Sequence, residues 1–565
     1  MQGGGPIIVC GLGQVGYRVV SLLCKLGEPA AAIGLASRDE WVRSVREQGV
    51  LFISGDARDP ALLDAAGLSE ARAIIAATDQ DLVNLEIALD AKARRPDLPV
   101  VLRVFDQMLA RQLEASLGMR RAAGMSALAA PMFAAAAMGE QAIACIVADD
   151  CHFMVGRLRV GDGTTSGLSI GDLAARHRLA TIVHEPVGSD PVLMPHQSAA
   201  LRDGDGLIVV GQADDWAAAV ARQHPTLGQR MWAQQVHPER RLLGGVEAAF
   251  RAWRNLPFAL RAIFATLLGL IAFSVVVFST LMNLSLVDAF YYVVSTVTTT
   301  GYGDITPRDA PLKLYAALLM ILGSLTLATM YSIITDLVVT ARVGQLLGRR
   351  TVPEGGHVVV AGIGNVGYRT VEELRSHASV VAVERSPDAE FVNALRGRLP
   401  LVLGDARQES TLAQANMAGA RAIVAATGDD ATNLAIGLSA RRLNGQAQIV
   451  VRMFEAEFAS KVQQSFAFDA VLSASMTSAP TFVAAALYPG VLAAFVLSGQ
   501  LIVFRQSTVG DEDSGRRPSE LRASEGASVI FRMGKNDVAF VVAGGDDPLT
   551  KGDQIITLVW RPILA

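Results

Sequence analysis

The chain has 565 residues, too many for a single hydrophobic core, so the sequence predicts several domains. Hydrophobic residues make up 51% and charged residues 18%, which excludes both an ordinary soluble chain and one that lies wholly in a membrane. The net charge is −4 and no stripe of basic residues is present, which argues against a nucleic-acid partner.

The start of the chain and its cysteines indicate a reducing compartment. Met1 to Pro6 lacks the charged and apolar regions of a signal peptide, so the first domain is expected in the cytosol. The cysteines have neither the spacing of a metal site nor that of a disulfide framework, and they are interpreted as buried small hydrophobic residues. These are Cys10, Cys24, Cys145 and Cys151.

A strand followed by a glycine-rich turn opens the chain and returns later. Residues 7–16 predict a buried strand that turns into a helix, and residues 357–367 repeat the pattern. Gly11 and Gly362 are 351 positions apart, and the later matching pairs are 349 apart. These pairs are Asp56 and Asp405, Thr78 and Thr427, Asp81 and Asp430, Asn84 and Asn433, Arg103 and Arg452, and Pro131 and Pro480. The chain therefore contains two copies of one domain.

Each copy alternates short Val/Ile/Ala runs with helical stretches, which predicts a Rossmann-like α/β fold with a parallel sheet. The glycine turn brings a helix N-terminus close to a phosphate, so each copy is predicted to bind a nucleotide. The predicted contacts in the second copy are Gly362, Gly364, Asn365, Val366, Gly367, Glu384, Arg385, Asp405, Ala406, Thr427, Asp430 and Arg452. Those in the first copy are Gly11, Gly13, Gln14, Val15, Gly16, Asp56, Ala57, Thr78 and Arg103.

The two copies differ where the second predicted strand ends. Glu384 closes the strand in the second copy, where a carboxylate can accept hydrogen bonds from the hydroxyls of an adenosine ribose. The equivalent position in the first copy is Gly34 or Leu35, with Ser37 and Arg38 nearby. Two interpretations stay open for the first copy: a degenerate pocket kept for packing, or a pocket for a differently phosphorylated or differently posed nucleotide.

Two pairs of aspartates lie in loops beside the predicted nucleotide. Asp56 and Asp405 follow a strand and precede a helix, so they are expected either to cap that helix or to contact an adenine edge. Asp81 and Asp430 begin helices after a threonine, and helix capping is the preferred interpretation for them.

An alanine-rich apolar stretch follows each copy. Residues 122–139 and 470–504 carry no charge, but proline interrupts the second stretch, and alanine contributes little to membrane insertion. A helix packed between two subunits, followed by strands, is therefore predicted in each case. A small strand-rich α+β lobe then ends each copy. Its acidic groups, among them Asp149-Asp150 and residues 511–513, are interpreted as solvated loops, since they lack the spacing of a Ca²⁺ hand.

Two charge-free stretches between the copies are long enough to cross a bilayer. They are residues 262–287 and 314–335, and arginines lie before the first and after the second. This charge bias places both chain ends in the cytoplasm. Residues 286–297 are too short to span and predict a re-entrant helix, while 223–258 predict a polar linker with an amphipathic entry to the bilayer.

The loop after the re-entrant helix has the composition of an ion path. Carbonyl groups can replace the hydration shell of K⁺ if the backbone repeatedly enters left-handed conformations, which glycine adopts without steric cost. Thr299 is expected to close the inner end and Tyr302 to wedge outward, with Tyr291 and Tyr292 either packing around the loop or lying in an interfacial aromatic belt. The predicted filter residues are Thr299, Thr300, Gly301, Tyr302, Gly303 and Asp304.

This loop resembles the potassium-channel signature Thr-x-Gly-Tyr-Gly, and the two copies resemble RCK domains of the TrkA-N and TrkA-C type. The resemblance implies a two-span potassium channel in the inner membrane that assembles as a homotetramer in contact with lipid, with eight RCK domains in a gating ring. It also implies a gate near Gly323 and Ala328, although close helix packing explains Gly323 equally well. The expected domains are 1–148 and 149–222 (first copy), 223–258 (linker), 259–342 (pore), 343–354 (linker), and 355–490 and 491–565 (second copy).

Ligand gating is the function that this resemblance implies. NAD(H) or another adenine nucleotide is expected to bind the second copy and to act on the pore through residues 342–353, with K⁺ as the permeant ion. Ca²⁺ gating and a regulatory role in a Trk/Ktr-like potassium uptake system are the alternatives. A dehydrogenase is not expected, because no acid/base set for hydride transfer can be nominated.

Overall fold

Two compact units make up the chain, one formed by Met1–Gln229 with Thr351–Ala565 and the other by Arg230–Arg350. The computed structural model describes residues 4–35, 37–139, 142–148, 151–161, 167–212, 215–216, 258–346, 350–454, 456–518, 520, 527–533, 538–540 and 547–564. Most of the predicted linker at 223–258 and the acidic pair Asp149-Asp150 lie outside these residues.

The first copy begins with a six-stranded parallel sheet. Its strands are β1 (Ile7–Cys10), β2 (Ala30–Gly34), β3 (Leu51–Ser54), β4 (Ala73–Ala76), β5 (Val100–Arg103) and β6 (Arg121–Ala123), in the order β3-β2-β1-β4-β5-β6. Its helices are α1 (Gln14–Lys25), α2 (Asp39–Glu47), α3 (Pro60–Ala65), α4 (Asp81–Arg94) and α5 (Gln107–Leu117). Strand β1 is fully buried, as expected for a parallel sheet covered on both faces. The predicted Rossmann-like fold is confirmed.

A helix and a small antiparallel lobe complete the first copy. They comprise α6 (Met125–Ala137), β7 (Ala142–Ala148), β8 (Cys151–Arg159), α7 (Ile170–His177), β9 (Ala180–Glu185), β10 (Val192–Leu193) and β11 (Gly206–Gln212). The strand order is β10-β9-β11-β8-β7.

The second unit is helical. It consists of α8 (Phe258–Leu281), α9 (Leu286–Val297) and α10 (Ala310–Leu346). Within α8 and α10, Leu260–Leu281 and Ala310–Thr335 are long and apolar enough to cross a membrane. The shorter α9 packs between them, with Tyr292 edge-on to Phe278 at 4.8 Å. A hydrogen bond of 2.9 Å between the Ser274 and Tyr315 hydroxyls joins α8 to α10.

The second copy repeats the topology of the first. Its parallel sheet and the surrounding helices are β12 (Val358–Ala361), α11 (Asn365–Leu374), β13 (Val380–Glu384), α12 (Val392–Leu395), β14 (Leu401–Leu403), α13 (Glu409–Gln414), β15 (Ala422–Ala425), α14 (Asp430–Leu443), β16 (Gln448–Arg452), α15 (Ala456–Phe466) and β17 (Ala470–Leu472). The order β14-β13-β12-β15-β16-β17 matches that of the first sheet. Helix α16 (Ala474–Leu487) and the strands β18 (Val491–Leu497), β19 (Gln500–Thr508), β20 (Ala527–Met533), β21 (Val538–Phe540) and β22 (Gln554–Pro562) follow.

The alanine-rich helices join the two copies. Helix α6 packs against α11 of the second copy, α16 packs against α1 of the first, and the two helices pack against each other. One hydrophobic core consequently contains Phe133 and Phe482 together with strand residues of both sheets. The sequence prediction of a helix between two subunits is corrected here: the neighbour is the other copy in the same chain. The lobes also share a core, in which Phe153 lies 4.4 Å from Phe531.

Candidate functional site

The glycine turn of the second copy has no room for a side chain at two of its positions. Gly362 has a left-handed φ of +89°, and a Cβ atom there would lie 2.7 Å from Thr427 Cγ2. A Cβ on Gly367 would lie 1.9 Å from the Gly362 carbonyl oxygen, so glycine lets α11 begin against the turn. Among the described residues, no side chain caps the start of α11 at Gly364. Its first N–H groups therefore suit an anionic ligand.

Glu384 lies at the rim of this turn. Its Oε2 accepts a hydrogen bond of 2.7 Å from the Ile363 N–H, and its Oε1 accepts bonds of 2.8 and 3.0 Å from the N–H groups of Arg385 and Ser386. The carboxylate is thus held at the carboxyl end of β13, beside the glycine turn. Glycine turn and carboxylate together have the chemistry that an adenosine ribose and its phosphates require.

Asp405 is held by a neighbouring arginine rather than by a helix. It accepts hydrogen bonds of 3.0 Å from the Arg407 N–H and 2.5 Å from its Nη2, and this pairing lowers the pKa of the Asp405 carboxyl to about 2. Asp56 pairs with Arg58 in the same way, while Asp59 caps α3. The capping alternative for Asp56 and Asp405 is therefore wrong, because the loop arginine takes both carboxylates.

Asp81 and Asp430 tie loops together. Asp430 accepts the Phe454 N–H at 3.0 Å, and Asp81 accepts the Phe105 N–H at 2.8 Å. Helix α14 is capped instead by Asp429, whose carboxylate accepts the Thr432 N–H. The capping role that the sequence favoured is wrong for both aspartates, because each side chain reaches the loop after the neighbouring strand.

A buried asparagine beside each predicted phosphate position fixes the local backbone. The Asn433 side chain accepts the Thr427 N–H at 2.9 Å and donates to the carbonyl oxygens of Thr427 and Arg452, at 3.0 Å each. Asn84 makes the same bonds with Thr78 and Arg103. The sequence repeat revealed these asparagines but not this clamp between two strand ends.

Two arginines carry positive charge into the region between the copies. Burial lowers the pKa of the guanidinium groups of Arg103 and Arg452, and the charge of Arg103 lowers that of Arg452 further. Arg452 Nη1 donates to the Thr427 carbonyl oxygen at 3.3 Å. The Asp430 carboxylate acts in the opposite direction and raises the pKa of Arg452 more than Arg103 lowers it.

Each copy also contacts the other copy's site through an arginine that the sequence analysis missed. Arg18 in α1 donates to the Phe454 carbonyl at 3.2 Å, and Arg369 in α11 donates to the Phe105 carbonyl at 3.0 Å. Each guanidinium also lies over the ring of that phenylalanine. Arg18 and Arg369 have the same 351-residue spacing as the glycine turns, which was the available signal.

The first copy has a cavity of about 690 Å³ at its glycine turn. Most of the predicted contacts of that copy line it: Gly11, Gly13, Gln14, Asp56, Ala57, Thr78 and Arg103. Val15 and Gly16 lie behind it in the buried start of α1. Ser37, Arg38 and Trp41 also line the cavity. The structure thus gathers the residues of this copy around one space.

The filter loop alternates in backbone conformation. Thr299, Gly301 and Gly303 have φ values of +60°, +54° and +76°, so every second residue is left-handed. The sequence predicted this for the glycines and missed Thr299, for which the conformation is unusual. The N–H groups of Thr300 and Gly301 donate to the Ser295 carbonyl, which ties the loop to the end of α9.

The tyrosines of the loop region have separate partners. Tyr302 stacks on Tyr291 with ring centroids 6.1 Å apart and an interplanar angle of 8°, and its side chain is otherwise 70% exposed in the single chain. Tyr292 is buried against α8. Tyr291 and Tyr292 therefore both pack against aromatic side chains of the pore unit.

The proposed gate residues lie along an unbroken helix. Gly323 packs against α9, where a Cβ atom would lie 3.1 Å from both Cγ atoms of Val297. Close packing therefore accounts for this glycine, and α10 continues through it. Ala328 is exposed in the single chain.

Comparison with known proteins agrees with both units. Residues 7–123 and 358–474 match the TrkA-N domain family, and residues 265–340 match the ion channel family. The voltage-gated potassium channel Kch of Escherichia coli is 26% identical over 185 residues, 32% of this chain and 44% of the relative. The probable potassium channel protein 2 of Methanocaldococcus jannaschii is 25% identical over 183 residues, 31% and 53% respectively. The chain thus spans about half the length of these curated relatives.

Solved structures show the same fold over nearly the whole chain. The GsuK channel has a TM-score of 0.52 and 16% identity and is matched over 99% of this chain and 77% of its own. The GsuK channel bound to NAD gives a TM-score of 0.50 at the same identity and coverage. The chain thus contains two TrkA-N domains, one on either side of an ion channel domain in the sequence, and it is similar to known potassium channels.

Proposed function

We propose that the protein is a potassium-selective channel whose pore is controlled by a nucleotide bound to its cytosolic TrkA-N domains. The observation that carries the proposal is the backbone of residues 299–303, in which every second residue is left-handed, placed between two helices long enough to cross a bilayer. The carbonyl groups of such a loop can replace the hydration shell of K⁺. The relatives named above as potassium channels support it.

The assembly is a homotetramer. One chain supplies one filter loop, and irregular backbone at membrane depth is tolerated only where protein surrounds it or water fills the space. Four loops around an axis satisfy this condition, and they would cover the exposed face of Tyr302. The assembly then has eight TrkA-N domains in a cytoplasmic gating ring, and its pore lies in the inner membrane in contact with lipid.

The regulatory ligand is NAD(H) or another adenine nucleotide. In the second copy, the glycine turn takes the phosphates and Glu384 takes the ribose hydroxyls. Three backbone N–H groups hold the Glu384 carboxylate beside the glycine turn, which supports this role. The NAD-bound GsuK channel, which shares the fold, supports this ligand class.

Gating follows from a difference in nucleotide affinity between the open and closed states. The ligand changes the packing of the two copies, and residues 342–353 transmit the change to the inner helix near Gly323 and Ala328. A hundredfold preference per site is worth about 2.7 kcal/mol, so four sites suffice to switch a pore.

Rubidium uptake into liposomes that contain the purified protein tests the proposal. We expect uptake that is blocked by K⁺ but not by Na⁺, and that changes when NAD⁺ or NADH is added. Glu384→Ala should keep the uptake and lose its response to nucleotide. Absence of uptake would favour a regulatory role in an uptake system, and a response to Ca²⁺ alone would favour Ca²⁺ gating.

A further inference from the structure

The two nucleotide sites differ at the end of their second strand. Cys10 pairs with Ile33 in the first copy as Ala361 pairs with Val383 in the second, so Gly34 takes the place of Glu384. A Cβ atom on Gly34 would lie 2.4 Å from Ser37 Oγ and 3.4 Å from the Leu12 backbone nitrogen. The Ser37 hydroxyl therefore fills the position from which a carboxylate would extend.

An arginine four residues after Gly34 brings a positive charge to the lining of the first copy's cavity. Arg38 lines the cavity, and its guanidinium carbon lies 4.8 Å from the centre of the Trp41 ring. Trp41 is 8% exposed and stacks on Tyr17 at 5.4 Å, so it is a fixed support for the arginine. Helix α2 begins at Arg38 without a side-chain cap from any described residue, which leaves its first N–H groups available to an anion.

Two carboxylates in the first turn of α2, those of Asp39 and Glu40, compete with an anionic ligand, and Glu40 is only weakly bound to Arg38. Glu40 Oε1 lies 3.5 Å from Arg38 Nη1, and both side chains are more than half exposed. Ion pairs of this kind contribute little in water, so a doubly charged phosphate can displace the carboxylate. At the other end of the site the copies agree, because Asp56 pairs with Arg58 as Asp405 pairs with Arg407. The change of charge at Gly34 and Arg38 thus concerns the ribose end of the site.

We propose that the first copy binds an adenine dinucleotide that carries a phosphate on its ribose 2′-oxygen, such as NADP(H), with Ser37 and Arg38 on that phosphate. In dinucleotide-binding folds a carboxylate at this place selects the free hydroxyl, whereas a nearby arginine accommodates the 2′-phosphate. One channel would then read two nucleotides, one per copy. The inference rests on the proposed function for the nucleotide-binding role of the TrkA-N domains, but not on ion conduction.

Calorimetry of the full-length protein in detergent, with NADP⁺ and NAD⁺ as separate titrants, tests this assignment. We expect NADP⁺ to bind one site per chain, with affinity reduced at least tenfold by Arg38→Gln, and we expect this site to persist in Glu384→Ala. Glu40→Gln should tighten NADP⁺ binding by removing the competing carboxylate. Arg43→Gln is the matched control, since Arg43 is an exposed arginine of the same helix outside the cavity lining, and it should have no effect.

Other results overturn the assignment. No NADP⁺ binding, or NADP⁺ binding that Glu384→Ala removes and Arg38→Gln leaves intact, would make the first cavity a packing remnant or an ordinary NAD site. The readout is separate from conduction. A protein that passes no rubidium but binds NADP⁺ through Arg38 would contradict only the channel proposal. A protein that conducts but does not bind NADP⁺ would contradict only the assignment of NADP(H) to the first copy.

Discussion

At the scale of single residues, the buried asparagine of each TrkA-N domain should contribute strongly to the free energy of unfolding for a side chain of its size. Asn433 is fully buried and bonds to three backbone groups beside the predicted phosphate position. Asn433→Ala leaves those groups without this partner, and each unsatisfied buried group costs about 1–3 kcal/mol. We therefore expect urea unfolding of the full chain to show a loss of at least about 3 kcal/mol. Asn393 is exposed, so Asn393→Ala is the control and should change stability little. Equal losses of stability in Asn433→Ala and Asn393→Ala would contradict the clamp.

The pairing of Asp405 with Arg407 predicts a dependence of stability on pH. Hydrogen bonds from Arg407 lower the pKa of Asp405 to about 2, below the value of about 3.9 for an unfolded aspartate. A group with a lowered pKa stabilises the fold above the unfolded pKa, and the contribution is lost as pH falls through the folded one. Asp405→Asn should therefore be less stable than the natural chain at pH 6, and the difference should shrink between pH 4 and pH 2.

Urea unfolding at several pH values measures this difference. Asp388→Asn, which changes an exposed aspartate of the same copy, serves as the reference variant. A gap between Asp405→Asn and the natural chain that stays constant down to pH 2 would show that the Arg407 pairing is not its cause.

At the scale of elements, the alanine-rich helices make one folding unit of two repeats. Phe482 in α16 is 1% exposed and lies in the core that contains residues of both sheets. Replacing a buried phenylalanine by alanine costs about 3–5 kcal/mol. Phe482→Ala should thus lower the unfolding temperature of both copies together. Met476 lies in the same helix and is 45% exposed, so Met476→Ala is the control and should not lower the unfolding temperature.

Limited proteolysis during heating distinguishes the two copies. In Phe482→Ala, cleavage sites in residues 4–139 and 351–487 should open at the same lowered temperature. If only the second set opened earlier, the shared core would not couple the repeats.

The sequence predicted the positions of buried strands well, but it did not predict which groups the side chains contact. The strand predicted at the start of residues 7–16 lies at Ile7–Cys10, and the strand predicted to end at Glu384 lies at Val380–Glu384, because buried parallel strands read as unbroken apolar runs. The capping alternative failed for Asp56 because the neighbouring Asp59 caps that helix, and sequence spacing cannot choose between two carboxylates so close together. The capping role preferred for Asp81 was wrong because its side chain accepts the Phe105 N–H instead. The packing of α16 against α1 of the first copy was missed, because an apolar helix face does not indicate which element covers it.

At the scale of the whole molecule, the proposed ring of four filter loops predicts dominance of a defective chain. Gly303 has a φ of +76°, and a side chain there costs about 1–2 kcal/mol per loop. Gly303→Ala chains should therefore distort any pore that contains them and lower its preference for K⁺ over Na⁺. When natural and Gly303→Ala chains are co-expressed in equal amounts, about one sixteenth of tetramers contain four natural chains.

Rubidium uptake by the purified mixture, with K⁺ and Na⁺ as competitors, measures the fraction of intact pores. The K⁺-selective component should fall to about one sixteenth of that of natural chains, whereas a pore made by one chain would keep about half. Gly269→Ala in α8 is the matched control, because a Cβ atom there meets no described atom within 4 Å and the backbone is helical. A mixture that keeps half of its selective uptake would rule out the tetrameric filter, since each chain would then form its own ion path.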